Sequence, residues 1–218
     1  MKLILPTFEI INPESRDAGV AMLRRIETFA RISHRSEDRQ TDDSWERFIQ
    51  AVVLQHADWS VTEHCSATVI FRLDRGVTHE LVRHRIGAYT QESTRFVNYG
   101  NKEIEFIIPE FADNEMAFKS WQNSVMEAET SYKLLLKYGA APQIARSVLP
   151  NATASTIAVT YNLRNWRHVF MMRTTKETHP DLRRVMIPLL QEFKQRVPLL
   201  YDDVEPELKQ SISQSRPR

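Results

Sequence analysis

The spacing of apolar residues changes along the chain, and this change constrains the fold more than any other feature of the sequence. After Ser15, a suitable N-cap, Val20, Leu23 and Ile26 recur at the three-and-four spacing of a helix. Across residues 66–73 the spacing becomes two, which predicts a strand. Helical and strand patterns follow one another without a regular strand–helix–strand alternation. We therefore predict an α+β fold in one domain.

The same patterns predict the remaining elements of this domain. Strands are expected at 3–11, 103–108 and 151–160, and helices after Asp43, at 78–85, up to Gly139, and at 143–148, 162–173 and 182–193. Pro188 lies inside the last helix and should kink or split it, because proline lacks the backbone N–H donor. We place the domain at residues 1–210 and a polar C-terminal tail at residues 211–218.

Composition excludes several classes of function. The formal net charge of +1 lacks the basic bias of non-specific nucleic-acid binding. Cys65 is the only cysteine, which rules out an internal disulfide and a multi-cysteine zinc or iron–sulfur site. We also expect no metal. No stretch approaches the roughly 18 apolar residues of a membrane span, and the first apolar run ends at Pro6, so we expect no membrane and a cytoplasmic location. No glycine-rich phosphate loop occurs.

The densest group of polar side chains lies in residues 79–95, directly after the apolar strand. Glu80 and Arg83 are three residues apart on the predicted helix and therefore share a face. The chain then passes hydroxyl and amide side chains to Ser93 and Arg95. Small donors beside arginines suit an anionic ligand with many hydrogen-bonding groups, such as a nucleotide. A solvated charged helix with surface ion pairs is the alternative that spacing alone leaves open.

Arg83-His84-Arg85, followed by seven residues and Ser93, resembles the motif of the flavin-dependent thymidylate synthases, and Arg95 stands where that family keeps an arginine. Further segments resemble the family in the same order: Arg31-Ile32-Ser33, Trp59–His64, Ala145–Pro150, and Asn162–His168 followed by Arg173. The resemblance runs from about residue 30 to about residue 175. It implies the fold of this family, with a mainly antiparallel sheet flanked by helices.

The resemblance also implies a reaction, in which the uracil ring of dUMP is methylated to give dTMP. Methylenetetrahydrofolate would donate the carbon, FAD would carry the hydride, and NADPH would be the final reductant. No enzyme cysteine attacks the ring in this family, which agrees with Cys65 lying outside the motif. The classical synthases need a nucleophilic cysteine and are disfavoured for the same reason. The family implies a homotetramer with active sites at subunit interfaces.

For the substrate, the resemblance implies a set of side chains that hold the phosphate and base: Glu80, Arg83, Gln91, Ser93, Thr94, Arg95, Arg146 and Arg173. Arg146 is expected to reach in from a neighbouring subunit. Arg173 is the expected catalytic residue, because a guanidinium against the uracil would stabilise its ionised N3 form. Glu80 stands where relatives often have Gln. Gln91 stands where some relatives carry Glu, with Glu92 one position along, so the place of a carboxylate stays open.

For FAD, the resemblance implies contacts from a second set: Ser33, Ser60, Glu63, Arg83, His84, Arg85, Gln91, Asn162, Arg164 and His168. A capping hydroxyl is the alternative for Ser33 and Ser60, and a packed core histidine is the alternative for His168. Relatives often have a flavin-contacting histidine at the position of Asp58. His56 lies two residues away from it.

Two further hypotheses follow from the same residues. A nucleic-acid-binding module could use Trp166 for base stacking beside Arg164 and Arg167, although the near-neutral charge argues against it. A protein with the family fold but without activity would explain the departures at Asp58 and Glu80. We expect small-molecule partners, dUMP and folate, and no nucleic acid.

Overall fold

The computed structural model describes residues 1–207, so the predicted tail at residues 211–218 lies outside the described residues. The chain folds into two compact units. The first unit contains Met1–Glu9 and Thr68–Thr160, and the second contains Ile10–Ala67 and the described residues from Tyr161 onward. The domain limits expected from the sequence stay a prediction.

The strands are β1 Lys2–Ile4, β2 Thr7–Asn12, β3 Ser66–Asp74, β4 Ala88–Gln91, β5 Glu105–Ile107 and β6 Ala154–Asn162. Within residues 1–207, one sheet holds the strands in the order β2-β3-β6-β4, and a second sheet pairs β1 with β5 in parallel. Strand β4 runs antiparallel to β6, with Ala88 opposite Thr160 and Gln91 opposite Ile157. These elements confirm the predicted α+β class with its antiparallel sheet.

Strand β3 shows why the period-2 pattern was informative. Val69, Phe71 and Leu73 on one face are buried, while the residues between them are half-buried. Apart from Ile70 the half-buried face is polar, and the Thr68 and Thr160 hydroxyls lie 2.8 Å apart on it. The sheet therefore has one apolar face and one face that carries hydrogen-bonding groups.

The helices are α1 Arg16–Ile32, α2 Ser44–Phe48, α3 Arg75–Leu81, α4 Glu115–Lys137, α5 Pro142–Ala145, α6 Leu163–Arg173 and α7 Pro180–Arg196. Shorter 3-10 turns occupy Glu37–Arg39, Trp59–His64, Glu110–Asp113 and Arg146–Val148, and a π-helix occupies Ile49–Gln55. Ser15 caps α1 as predicted, because its Oγ accepts a hydrogen bond from the Ala18 N–H at 3.2 Å.

Four details differ from the sequence-based prediction. The strand expected at 3–11 is two strands, β1 and β2, which belong to different sheets. Helix α3 begins at Arg75 rather than at 78, because Asp74 Oδ1 accepts the Val77 N–H at 2.7 Å and caps the helix earlier. Residues 88–91, which carry no strong strand pattern, form a strand because they pair with β6. Pro188 was expected to kink or split the last helix; α7 runs unbroken through it, so the split is wrong and the kink stays a prediction. Buried apolar side chains on both sides of Pro188, at Met186 and Leu189, keep α7 packed through that position.

Each unit has its own apolar cluster. In the first unit the buried cluster comprises Tyr99, Ile104, Phe106, Val125, Tyr132 and Ala145. In the second unit four aromatic rings pack with centroids 5.0–5.7 Å apart, Trp166 stacked on Phe170 and the other contacts, with Phe193 and Tyr201, edge-on or tilted. No helix within residues 1–207 is both long enough and apolar enough to cross a membrane.

Candidate active site

The two arginines of the motif lie on the turn that follows α3. The helix ends at Leu81, and Arg83 and Arg85 are exposed while His84 between them is only 8% exposed. The Tyr89 hydroxyl donates to the backbone carbonyl of Leu81 at 3.2 Å and also to that of His84. Tyr89 therefore fixes the turn that presents the two guanidinium groups, a role that the sequence did not indicate.

Ile86 marks a strained point of this turn. Its φ is 66°, in the left-handed region, and its side chain is 84% exposed. A β-branched residue pays about 1–3 kcal/mol for such a conformation, and strain of this kind concentrates at ligand sites. The strain lies directly after Arg85, inside residues 79–95, the segment in which polar side chains are densest.

Strand β4 leads from this turn to the next predicted residues. Gln91 ends the strand, and its Nε2 lies 2.8 Å from Thr78 Oγ1 and 3.1 Å from Ser155 Oγ. Ser93 then opens a tight turn, since its carbonyl accepts the N–H of Val97 at 2.9 Å. Glu80 lies half-buried on α3 of the same unit.

Two hydrogen bonds join this turn to the segment at α5. Arg146 Nη1 donates to Thr94 Oγ1 at 3.1 Å, and Arg95 Nε donates to Gln143 Oε1 at 3.1 Å. Arg95 and Arg146 are both exposed, so their remaining N–H donors are open to a ligand. Arg146 thus contacts this turn within its own chain, and its expected contribution across a subunit boundary stays a prediction.

Gln143 is a site residue that the sequence reasoning missed. It stands three positions before Arg146, and only its contact with Arg95 distinguishes it from any other exposed amide. Its position just before the segment Ala145–Pro150 was the one available signal. The first unit therefore brings Ser93, Thr94, Arg95 and Arg146 to one surface, with Gln143 beside them.

The residues predicted to bind FAD from the later helix lie on α6 in the second unit. Asn162 Oδ1 accepts the Asn165 N–H at 2.8 Å and caps the helix. Arg164 and His168 follow four residues apart on one face, and both are exposed. The alternative of a packed core histidine at His168 is therefore wrong.

The segment Trp59–His64 is held against α6 within the second unit. Arg164 Nη1 lies 2.5 Å from Glu63 Oε1, so these two predicted flavin residues pair with each other. The Arg167 guanidinium lies 4.4 Å from the Trp59 ring centroid and makes two hydrogen bonds to Asp203, at 2.6 and 2.5 Å. These hydrogen bonds hold the pKa of the Asp203 carboxyl below its ordinary value.

Three further predicted positions have local roles in the described structure. The Ser33 hydroxyl donates to the Ala30 carbonyl at 2.8 Å at the end of α1, and the Ser60 hydroxyl donates to Asp58 Oδ1 at 2.7 Å. The Ser33 bond is the capping contact that was the alternative for this serine, whereas Ser60 bonds to a side chain and caps no helix. Asp58 precedes Trp59–His64 and holds its second residue through this bond.

Arg173 is the last residue of α6 and is half-buried. It belongs to the second unit, whereas the other residues predicted to bind the substrate belong to the first. Among residues 1–207, no group of three or more His, Cys, Asp or Glu side chains could hold a metal ion.

The exposed side chains of α6 fit a flavin dinucleotide. Such a cofactor carries a diphosphate and a ring with several hydrogen-bonding groups. Arg164 supplies planar guanidinium donors and His168 an imidazole from the same exposed helix face, and the carboxylate of Glu63 adds an acceptor. The donor set therefore matches the anionic and polar parts of the cofactor.

Comparison with known proteins identifies relatives of this chain. Residues 20–199 match the family described as thymidylate synthase complementing protein. The chain is 36% identical to the flavin-dependent thymidylate synthase of Corynebacterium efficiens over 172 residues, which is 71% of this chain and 68% of that protein. It is 38% identical to that of Pyrococcus abyssi over 151 residues, 66% of this chain and 61% of that protein.

A solved structure also resembles the fold. The UMP/dUMP methylase PolB from Streptomyces cacaoi, bound with 5-Br dUMP, superposes with a TM-score of 0.75 at 23% identity. The alignment covers 92% of this chain and 95% of that chain. At this identity the likeness establishes a shared fold.

Proposed function

Because this chain belongs to the family of the flavin-dependent thymidylate synthases, we propose that it makes dTMP by methylating dUMP. Methylenetetrahydrofolate is the proposed carbon donor, and NADPH is the proposed final reductant. The bound flavin, proposed to be FAD, supplies in its reduced form the hydride that completes the methyl group. The side chains of the protein bind and orient the substrates and stabilise charge in the uracil ring.

The observation that carries this proposal is the pairing of Arg146 with Thr94 beside Arg95 and Ser93. Two exposed guanidinium groups flank a hydroxyl-bearing turn, an arrangement that suits a phosphate dianion. We assign Arg95 and Arg146 to the phosphate and Ser93 to a hydrogen bond with the nucleotide. Thr94 and Gln143 orient the two arginines.

The remaining substrate contacts follow from the turn after α3. Arg83 is exposed on this turn and would donate to dUMP, while Glu80 and Gln91 border it from α3 and β4. Arg83 and Arg85 are also the exposed donors that would reach FAD, with His84 and Gln91 as further expected contacts. The Tyr89 contacts support this assignment, since they fix the backbone that carries both arginines.

Arg173 has the proposed catalytic role. A guanidinium beside the uracil stabilises the negative charge of the ring ionised at N3, which makes the ring carbon a better nucleophile toward the methylene group. Asn162, Arg164 and His168 hold FAD from α6, together with Glu63, Ser33 and Ser60. We also propose a homotetramer whose active sites lie at subunit interfaces, as the resemblance implies.

One pair of measurements tests the proposed function. The purified protein should be yellow, with flavin absorbance near one FAD per chain. With NADPH and methylenetetrahydrofolate it should release tritium from 5-tritiated dUMP, and omission of either should stop the release. Colourless protein that FAD does not restore, or yellow protein without tritium release, would contradict the proposal.

A further inference from the structure

Glu92 lies between Gln91 and Ser93 but directs its carboxylate into the first unit. Oε1 accepts the Tyr99 hydroxyl at 2.7 Å. Oε2 accepts Arg72 Nη1 at 2.6 Å and the Thr156 N–H at 3.2 Å. Both carboxylate oxygens are therefore engaged by the protein, which favours a structural role for the carboxylate whose task the sequence left open.

The backbone of Glu92 is tied down at the same point. Its N–H donates to the Thr156 carbonyl at 2.8 Å, which extends the pairing of β4 with β6 by one residue. Its carbonyl accepts Arg75 Nη1 at 3.4 Å. The chain is thus fixed immediately before Ser93, where the proposed phosphate-binding turn begins.

Arg72 connects Glu92 to a second carboxylate. Its Nη2 and Nε donate to Glu105 Oε2 at 2.7 and 3.2 Å, and its Nη1 also reaches Thr156 Oγ1 at 2.9 Å. The side chains of Arg72, Glu92 and Glu105 are 24%, 19% and 26% exposed. One guanidinium therefore links β3, β5 and β6 to the residue that directly follows β4, in a partly dry setting where such bonds are strong.

The ionisation of Glu92 agrees with this arrangement. Burial alone would raise its pKa, but the hydrogen bond from Tyr99 and the Arg72 guanidinium outweigh burial, and the pKa lies below its ordinary value. The carboxylate is therefore charged at neutral pH and keeps its hold on both partners.

We propose that Glu92 is a positioning residue, whose carboxylate, held by Arg72 and Tyr99, fixes the turn at Ser93–Arg95 for dUMP binding. This inference rests on the proposed function, in which that turn binds the nucleotide phosphate. The network acts through Ser93 and Arg95 and does not touch the substrate itself. Its loss would free the turn from the sheet and so weaken substrate binding, while the chemistry of bound substrate would continue.

The test uses isosteric variants in the FAD-bound protein. Glu92→Gln removes the charge and keeps the shape, and Tyr99→Phe removes one hydroxyl. Glu129→Gln is the matched control, because Glu129 is another acidic residue of the first unit, 6% exposed, that accepts Lys133 Nζ at 2.6 Å and the Ile104 N–H at 3.4 Å. Two readouts are recorded: dUMP binding with steady-state kinetics, and hydrogen–deuterium exchange of the backbone at residues 93–97.

Glu92→Gln should raise the KM for dUMP about tenfold while kcat at saturating dUMP stays within about twofold of wild type. Exchange at residues 93–97 should become about tenfold faster, and Tyr99→Phe should change both quantities in the same direction by about threefold. Glu129→Gln should alter neither. If Glu92→Gln does not fold, the KM for dUMP and the exchange at residues 93–97 in Tyr99→Phe test the inference instead.

Unchanged exchange at residues 93–97 in Glu92→Gln and Tyr99→Phe would overturn the inference. Faster exchange with an unchanged KM for dUMP would also overturn it, because the turn would then be anchored without positioning the substrate. Wild-type protein that binds no dUMP would instead overturn the proposed function. In that case the exchange data alone would still support or refute the anchoring of the turn by Glu92.

Discussion

Arg146 and Thr94 are joined by a hydrogen bond of 3.1 Å between Nη1 and Oγ1, across 52 residues of sequence. Thr94 is 5% exposed, whereas Arg146 is exposed. A buried hydroxyl therefore sets the direction of an exposed guanidinium. Since arginine carries five N–H donors, this bond leaves others free to bind an anion.

Arg146→Ala should raise the KM for dUMP more than about tenfold, because it removes a charged donor to the phosphate. Thr94→Val keeps the size of the side chain and removes only the acceptor, so it should give a smaller increase of about threefold. Both variants should retain FAD. Arg47→Ala, an exposed arginine on α2, is the control and should leave the KM unchanged. Equal KM values for all three variants would remove Arg146 from the substrate site.

Arg173→Ala should abolish turnover while FAD stays bound, because the guanidinium is proposed to stabilise charge on the uracil and not to hold the cofactor. Tritium release from 5-tritiated dUMP measures the turnover, and the flavin spectrum measures the cofactor content. Arg173→Lys retains a positive charge without the planar fork and should keep a small part of the activity. Full activity in Arg173→Ala would show that this arginine has no part in the reaction.

The elements with a strong local pattern were predictable from the sequence. Strand β3 alternates at all positions but Ile70, and α1 has an apolar stripe with a serine cap, so both were located to within a few residues. Strand β4 could not be found in this way, because its four residues alternate weakly and it exists through pairing with β6. The course of α7 through Pro188 likewise depends on tertiary packing, which a local rule does not include.

The site was predictable only as a set of residue types. The motif named Arg83, Ser93 and Arg95, but spacing carries no information about which side chains meet across the fold. The contact of Arg95 with Gln143 and the orientation of Glu92 toward Arg72 both join segments that are distant in sequence. Such contacts are set by the packing of distant segments, and spacing along the sequence does not show which side chains meet.

Arg164 and Arg167 lie three residues apart on α6 but should behave differently when replaced. The ion pair of Arg164 with Glu63 has side chains that are 54% and 47% exposed, so Arg164→Ala should change the unfolding free energy by at most about 1 kcal/mol. It should, however, weaken FAD binding about tenfold or more, because the guanidinium is a proposed cofactor contact. FAD titration of the apoprotein and urea denaturation measure the two effects.

Arg167→Ala should show the opposite pattern. It removes the stacking on Trp59, for which about 0.5–2 kcal/mol is typical, and the paired hydrogen bonds to Asp203. We expect a loss of stability larger than that of Arg164→Ala and a smaller loss of FAD affinity. If one of the two variants showed the larger loss of both stability and FAD affinity, the division of roles on α6 would be contradicted.

Gly19 allows α1 and α7 to approach closely within the second unit. A Cβ atom at this position would lie 1.8 Å from the backbone carbonyl oxygen of Arg196, which cannot move as a side chain can. Alanine gains about 1 kcal/mol over glycine in an open helix, but here the overlap should produce a net loss of about 1–3 kcal/mol. Urea denaturation of Gly19→Ala measures this loss. Gly76→Ala is the control, because a Cβ atom added there would meet only side-chain atoms, at 3.1–3.6 Å. A Gly19→Ala protein that is more stable than wild type would refute the close approach of the two helices.

The Arg72 network should make stability depend on pH in the acidic range. Burial opposes ionisation of Glu92, but Tyr99 and Arg72 lower its pKa, and hydrogen bonds from Lys2 and Arg72 lower that of Glu105. Because both folded pKa values lie below the unfolded value of about 4.3, this stabilisation is fully present above that pH and is lost as the pH falls through the folded values. Arg72→Met should therefore cost about 2–3 kcal/mol at pH 7, and its difference from wild type should shrink between pH ~5 and pH ~3. Urea denaturation at several pH values measures this difference. Arg47→Ala is the control and should match wild type at every pH. A difference between Arg72→Met and wild type that stays constant down to pH ~3 would show that Arg72 does not stabilise these carboxylates.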